Sequence, residues 1–177
     1  MRLLQINLHH SKLASLALVN RMAEERPDFV LIQEPWVNGG RICGLRTPGY
    51  NLYANGCVGK PRTCILANKK LNVFLLHSYS SNDTTVVSWE TSKRKYRLAS
   101  CYMPYDEVAV PSQLFKELVR DAEASKCSII LGCDSNAHHT LWGSTDINER
   151  GELLFNYLIG SKLLLCNKGS MPTFITK

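Results

Sequence analysis

Apolar and polar residues alternate from the start of the chain: Leu4, Ile6 and Leu8 fall on one face, and Gln5, Asn7 and His9 on the other. That is the period of a β-strand, and its polar face must point toward something that needs polar groups. Ser11 follows as a helix cap ahead of Leu13, Leu16, Ala17, Asn20 and Ala23, and Pro27 ends that helix before a strand over residues 28–33. Strand, helix and strand in this order predict parallel pairing through a right-handed crossover. Beyond the Pro48-Gly49 turn, short strands are expected at 51–54, 63–67, 73–76, 84–90 and 96–102, punctuated by Gly, Pro, Asn and Lys clusters. These read as antiparallel hairpins. Pro111 opens an amphipathic helix carrying Leu114, Phe115, Leu118, Val119 and Ala122 on one stripe. Residues 128–133 read as a short buried strand, 150–161 as a third helix and 163–166 as a last strand. Two βα pieces bracketing a hairpin-rich centre predict an α/β fold of mixed strands in two sheets with helices outside.

Composition narrows the class. A chain of 177 residues with 45% hydrophobic and 20% charged side chains is one globular domain's worth. No run of 18 apolar residues occurs, and Gln5, Asn7 and His9 interrupt any signal-peptide core, so no membrane partner and no secretion are expected. Seven cysteines, at 43, 57, 64, 101, 127, 133 and 166, contain no C-x-x-C pair. An odd number embedded in apolar runs reads as reduced thiols of an intracellular protein rather than a disulfide framework or zinc site.

Charge is unevenly placed. Between Arg41 and Arg97 ten basic residues face only Asp83 and Glu90, a local balance of +8 that leaves −2 for the rest of a chain with net charge +6. Such a basic middle suits a polyanion, although solvated hairpin tips would account for it equally well.

Polar residues recur where apolar strands end: Asn7, Gln33-Glu34, Tyr102, and Asp134 with Asn136 after the run from Ile129 to Cys133. Strand ends are where distant parts of a chain converge on one cleft. Asp134 and Asn136, two residues apart, can address one atom if the strand direction continues. Glu34, placed directly after Val30-Leu31-Ile32, is costly to bury without a cation, and a hard divalent ion with waters and a substrate phosphate would satisfy it. Singly, each has a plain structural reading as a solvated strand end, a turn or packing. His138-His139 lacks further partners at zinc-ligand spacing.

In chain order, Leu4-Gln5-Ile6-Asn7-Leu8, Ile32-Gln33-Glu34-Pro35, Cys101-Tyr102-Met103-Pro104 and the segment from Gly132 to His139 resemble the endonuclease/exonuclease/phosphatase superfamily. Trp142-Gly143-Ser144, Arg150-Gly151, Asn167-Lys168-Gly169 and Pro172-Thr173-Phe174 resemble its branch in LINE-type, non-LTR retrotransposons, where the endonuclease precedes a reverse transcriptase. The resemblance implies a DNase I-like four-layer sandwich with a cleft at one end of two packed sheets. It also implies Mg²⁺ or Mn²⁺ at Glu34 with Asn7 beside it, proton transfer or water polarisation by Asp134, and phosphate contacts from Asn136 and Tyr102. A supporting role falls to His138, with Lys93, Arg94, Lys95 and Arg97 as DNA-backbone contacts. The implied activity is nicking of double-stranded target DNA in the nucleus to leave a 3′-hydroxyl primer. Members of the family continue into a Ser-Asp-His motif, so residues 1–177 would form a single domain lacking its final strands. The alternatives are a nucleic-acid-binding remnant without turnover, or action on abasic DNA or a small phosphodiester.

Overall fold

A computed structural model describes residues 1–56, 59–107 and 109–167. The first strand, β1 (Leu3–Asn7), leads into α1 (Lys12–Glu25), whose cap Ser11 accepts a hydrogen bond from the Ala14 amide at 3.2 Å. The chain leaves α1 through Arg26 in the left-handed conformation and returns as β2 (Phe29–Gln33), parallel to β1 with Asn7 opposite Gln33. A small hairpin of β3 (Val37–Asn38) and β4 (Arg41–Ile42) precedes β5 (Tyr50–Tyr53) and β6 (Thr63–Asn68). The first sheet runs in the order β1-β2-β6-β5, with β6 antiparallel to both neighbours.

The second sheet begins with β7 (Val73–Leu75), β8 (Thr84–Glu90) and β9 (Lys95–Tyr102), an antiparallel series. A crossover through α2 (Gln113–Ala124) places β10 (Ser128–Asp134) parallel to β9, with Asp134 opposite Tyr102. Helix α3 (Glu149–Ile159) closes the order, capped by Asn148, which accepts from the Gly151 amide at 2.7 Å.

Side-chain alternation sorts these elements into four layers. Val30 and Ile32 face α1 with Leu18 and Met22, whereas Phe29 and Leu31 face the second sheet and meet Val87 and Leu98. On the other side of that sheet, Ala99 and Cys101 pack under Phe115, Leu118 and Val119 of α2 and Leu154 of α3. Each large apolar side chain buried in this way contributes about 1.5–3 kcal/mol, so the two helix layers and the inter-sheet layer are separate sources of stability.

The layer between the sheets changes character along its length. Away from the strand ends that carry Asn7 and Tyr102 it is apolar, and toward those ends it is hydrogen-bonded. Fully buried Gln33 donates to Ser100 Oγ at 2.9 Å and to the Gly132 carbonyl at 3.0 Å, while Ser100 Oγ donates to the Ile32 carbonyl at 2.7 Å. Thr63 and Thr85 hydroxyls meet at 2.9 Å, and Gln5 reaches the Cys133 carbonyl at 2.9 Å. The polar face foreseen for β1 is therefore consumed by contacts to the other sheet.

Three sequence expectations need correction. Pro111 lies before α2, which Ser112 caps. β10 is half-buried rather than buried, because it is an edge strand. Residues 163–166 are not a strand: Leu163 packs against the second sheet's helix-side core, but Leu164 is 88% exposed and no described strand lies alongside. Six cysteines are free among the described residues, and Cys57 falls outside them, as do Lys168-Gly169 and Pro172-Thr173-Phe174. Among the described residues no helix is long and apolar enough to cross a membrane.

Candidate active site

The C-terminal ends of β1, β2, β9 and β10 lie at the same end of the two sheets because each pair is parallel. β6 and β8 run the other way, so their N-terminal ends, preceded by Arg62 and Asp83, arrive there too. The backbone at this end is strained: His9, His10, Glu34 and Asn136 all have φ between +47° and +54° without being glycine. Clustered left-handed residues of this kind mark places where surrounding structure enforces a particular side-chain direction.

Five sequence-nominated residues converge here. Asn7 donates from Nδ2 to Asp134 Oδ2 at 2.5 Å and accepts the His9 amide through Oδ1 at 2.7 Å. Glu34, its side chain only 15% exposed, has His9 Nδ1 at 3.4 Å and His10 Nε2 at 3.9 Å. Tyr102 donates to Glu34 and accepts from Asn136. Burial, followed by the Glu34 charge and that hydrogen bond, pushes the phenol above its ordinary value, with the Asn136 contact opposing. Tyr102 is therefore held protonated as a donor. Asn136 also donates to the Met103 carbonyl at 3.1 Å, which fixes its amide plane.

Arg62 and Asp83 were not singled out in the sequence, yet they brace this group. They form a two-pronged ion pair, through Arg62 Nε to Asp83 Oδ1 and through Nη2 to Oδ2 at 2.7 Å. The Arg62 carbonyl accepts the Glu34 amide at 2.8 Å, and the Asp83 carbonyl accepts the Tyr102 amide at 2.8 Å. The guanidinium also lies 5.2 Å from the Tyr102 ring centroid. Burial alone would lower the Arg62 pKa, but the Asp83 hydrogen bond and charge, with Tyr102 and Glu107 adding to them, raise it. One ion pair thus fixes the backbone of two site residues. The available signal was register: a residue just before an antiparallel strand shares an end with the last residues of its neighbours.

Arg150 plays a similar role for the loop after β10. Its guanidinium donates to the carbonyls of Asn136 (3.1 Å), Met103 (3.2 Å), Ser135 (3.3 Å) and Glu107 (2.5 Å), tying the loops after β9 and β10 together. Gly151 allows α3 to approach, since a Cβ there would sit 1.8 Å from the His138 carbonyl oxygen. His138 pairs with Asp146 at 2.9 Å on the surface of that loop, while buried His139 stacks on Phe155 at 4.5 Å between ring centroids.

Four nominated residues do not join the cleft. Lys93, Arg94, Lys95 and Arg97 sit at or before the N-terminal end of β9, the opposite end from Tyr102. The six residue steps from Tyr96 to Tyr102 correspond to roughly 20 Å. Lys95 pairs with Glu90 at 3.0 Å, and Arg97 with Asp121 while covering the Tyr79 ring at 5.6 Å.

The donor set at Glu34 fits a hard divalent cation. Among the described residues Glu34 has no Lys or Arg partner, and its histidine contacts are longer than good hydrogen bonds. Mg²⁺ is commonly held by one or two carboxylates, with water and substrate phosphate completing its shell. Among the described residues no group of three or more His, Cys, Asp and Glu side chains is arranged to hold a metal, so an all-protein cage is not formed.

Comparison with known proteins shows what this arrangement resembles. The family described as "Endonuclease-reverse transcriptase" matches residues 96–177. The solved endonuclease domain of TRAS1, a telomere-specific non-LTR retrotransposon, superposes with a TM-score of 0.79 at 29% identity, over 99% of this chain and 77% of that one. The AP endonuclease LMAP from Leishmania major (TM-score 0.69, 11% identity, 89% of this chain and 66% of that one) has the same fold. So does TDP2 from Caenorhabditis elegans (0.60, 16%, 78% and 48%). No curated protein sequence matches the chain. In its motifs and its two-sheet sandwich the chain is similar to the endonuclease domains of non-LTR retrotransposons, with the family match lying over residues 96–177.

Proposed function

We propose that this domain is a Mg²⁺- or Mn²⁺-dependent endonuclease that nicks one strand of duplex DNA and leaves a 3′-hydroxyl from which a fused reverse transcriptase primes. The observation that carries the reading is the linked group Asn7–Asp134 and Glu34–Tyr102–Asn136 at one end of the two sheets. Phosphodiester hydrolysis requires charge neutralisation at the non-bridging oxygens, an aligned water and stabilisation of the leaving oxygen. Tyr102, protonated, donates to a non-bridging oxygen when substrate displaces it from Glu34. Asn136, its amide plane fixed by Met103, donates to a second oxygen. Asp134, oriented by Asn7, accepts a proton from the attacking water. Glu34 with Asn7 beside it would hold the cation, which supplies Lewis-acid stabilisation of the developing charge when bound. His138, on the neighbouring loop and paired with Asp146, would contact the flanking backbone. The site of action would be the nucleus, where target DNA resides.

Supercoiled plasmid tests this. Residues 1–177 and a longer form carrying a Ser-Asp-His motif are incubated with and without Mg²⁺, beside Glu34→Ala versions of each. Metal-dependent conversion to open circles by the extended form, abolished by Glu34→Ala, is the expected result. Nicking that persists in EDTA, or is indifferent to Glu34→Ala, overturns the metal assignment.

A further inference from the structure

A cluster of exposed positive charge lies away from the reaction centre. At the cleft end, Glu34 and Asp134 are carboxylates, Arg62 is committed to Asp83, Arg150 to backbone carbonyls and Lys12 to the Trp36 ring, which leaves exposed Lys60 before β6. At the opposite end, the β6–β7 turn carries Lys69 and Lys70, the β8–β9 turn carries Lys93 and Arg94, and the α2–β10 turn carries Lys126. All five side chains are exposed, and none forms an ion pair among the described residues.

These turns are not merely scattered tips. The β8–β9 and α2–β10 turns face each other across a groove of about 750 Å³, lined by Lys93, Arg94, Lys126, Ser92 and Ser128, with Glu90 there neutralised by Lys95. Lys, Arg, Ser and Thr side chains are the set that contacts nucleic-acid phosphates without reading sequence. Among the described residues Leu76 is the one aliphatic side chain lining the groove, and no aromatic side chain lines it, so it lacks the large apolar anchor site typical of protein partners. Unpaired like charges held together on rigid turns repel one another until a polyanion neutralises them.

We infer that this end of the domain, remote from the cleft, is a second nucleic-acid surface, binding a phosphodiester backbone of DNA or RNA without sequence preference. It lies too far from Tyr102 for the phosphates flanking a scissile bond to reach it directly. It therefore holds a different strand, or a distant part of the same molecule, from the one in the cleft. Its consequence is tethering, which raises the local concentration of the second strand at the domain.

Competition and bridging measurements test the inference independently of cleavage. Wild type, Lys93→Gln/Arg94→Gln/Lys126→Gln and the corresponding triple-Glu variant are titrated, without metal, against a labelled 30-bp duplex and a labelled 20-nucleotide RNA. Energy transfer between donor- and acceptor-labelled duplexes reports bridging. The expected result is at least about a tenfold loss of affinity in the triple-Gln variant. The slope of log affinity against log salt should fall by about 2–3, as loss of three phosphate contacts requires, and bridging should disappear. A greater loss for RNA than for duplex assigns the surface to RNA, and the reverse to DNA. Unchanged affinity and salt slope in both variants overturn the inference. So does tighter wild-type binding to poly-glutamate, or to phosphatidylserine vesicles, than to either nucleic acid. Failure of plasmid nicking with bridging intact would overturn the catalytic reading and leave this one standing.

Discussion

Asn7 and Asp134, separated by 127 positions in the chain, are joined by a 2.5 Å hydrogen bond from amide to carboxylate. Asn7 ends an edge strand of the first sheet and Asp134 an edge strand of the second, so the bond locks the two edges together at the cleft. Asn7→Ala removes the donor, leaving Asp134 without its orienting contact. Misplacement of a catalytic group by about 1 Å costs on the order of 10²-fold. Single-turnover nicking by Asn7→Ala should fall by about that factor, and by more in Asn7→Asp, which also adds a like charge. A variant within about twofold of wild type would remove Asn7 from the reaction.

Arg62 predicts a separation of kcat from KM. Its ion pair with Asp83 holds the backbones of Glu34 and Tyr102 through the carbonyls of Arg62 and Asp83. Arg62→Met should lower kcat roughly tenfold or more, with KM nearly unchanged. Arg62→Lys keeps the charge but not the two-pronged geometry, and should rescue only part of the loss. A matched rise in KM would instead indicate direct substrate contact.

Tyr102 carries the pH prediction. Its phenol is raised by burial and by Glu34, so it ionises above pH 10 in the folded protein and near 10 when unfolded. The folded state therefore retains the proton more strongly, and Tyr102 contributes stability that is full below pH 10 and lost as pH rises through the folded value. A 295 nm difference titration of wild type against Tyr102→Phe should show one phenol titrating above 10. Nicking between pH 7 and 9 should show no loss attributable to tyrosinate, while Tyr102→Phe lowers the rate by about 10².

Gly151 and Gln33 predict structural losses of different kinds. Gly151→Ala drives a methyl into the His138 carbonyl and should destabilise the domain by roughly 1–3 kcal/mol. Gln33→Leu leaves the Ser100 hydroxyl and Gly132 carbonyl without a buried donor, costing about 1–3 kcal/mol. Urea denaturation measures both, with m-values unchanged.

How much of this was legible depends on which interaction decided each feature. The β1 alternation showed which side chains would turn toward polar surroundings, and strand-end chemistry picked out Asn7, Glu34, Tyr102, Asp134 and Asn136, because both signals are local. Whether β10 is central or at an edge depends on its neighbours, so a run as apolar as Ile129 to Leu131 reads as buried when it is half-buried. The two-residue strands β3 and β4 are too short to show a period. Arg62 and Asp83 became visible only with the register of β6 and β8. The charge of Lys93, Arg94, Lys95 and Arg97 was plain in the sequence, but the direction of β9 places it away from the cleft.

The graded inter-sheet layer sets where the sequence is free to drift. Apolar side chains such as Phe29, Ile65, Val87 and Leu98 can exchange for others of similar volume, because dispersion has no direction and a small slide between sheets costs little there. At the other end, the Gln33, Ser100 and Thr63–Thr85 bonds admit one alignment. They work like locating pins in a machined joint: the far half of the sandwich can be rebuilt over generations while the strand ends at the cleft keep their offset.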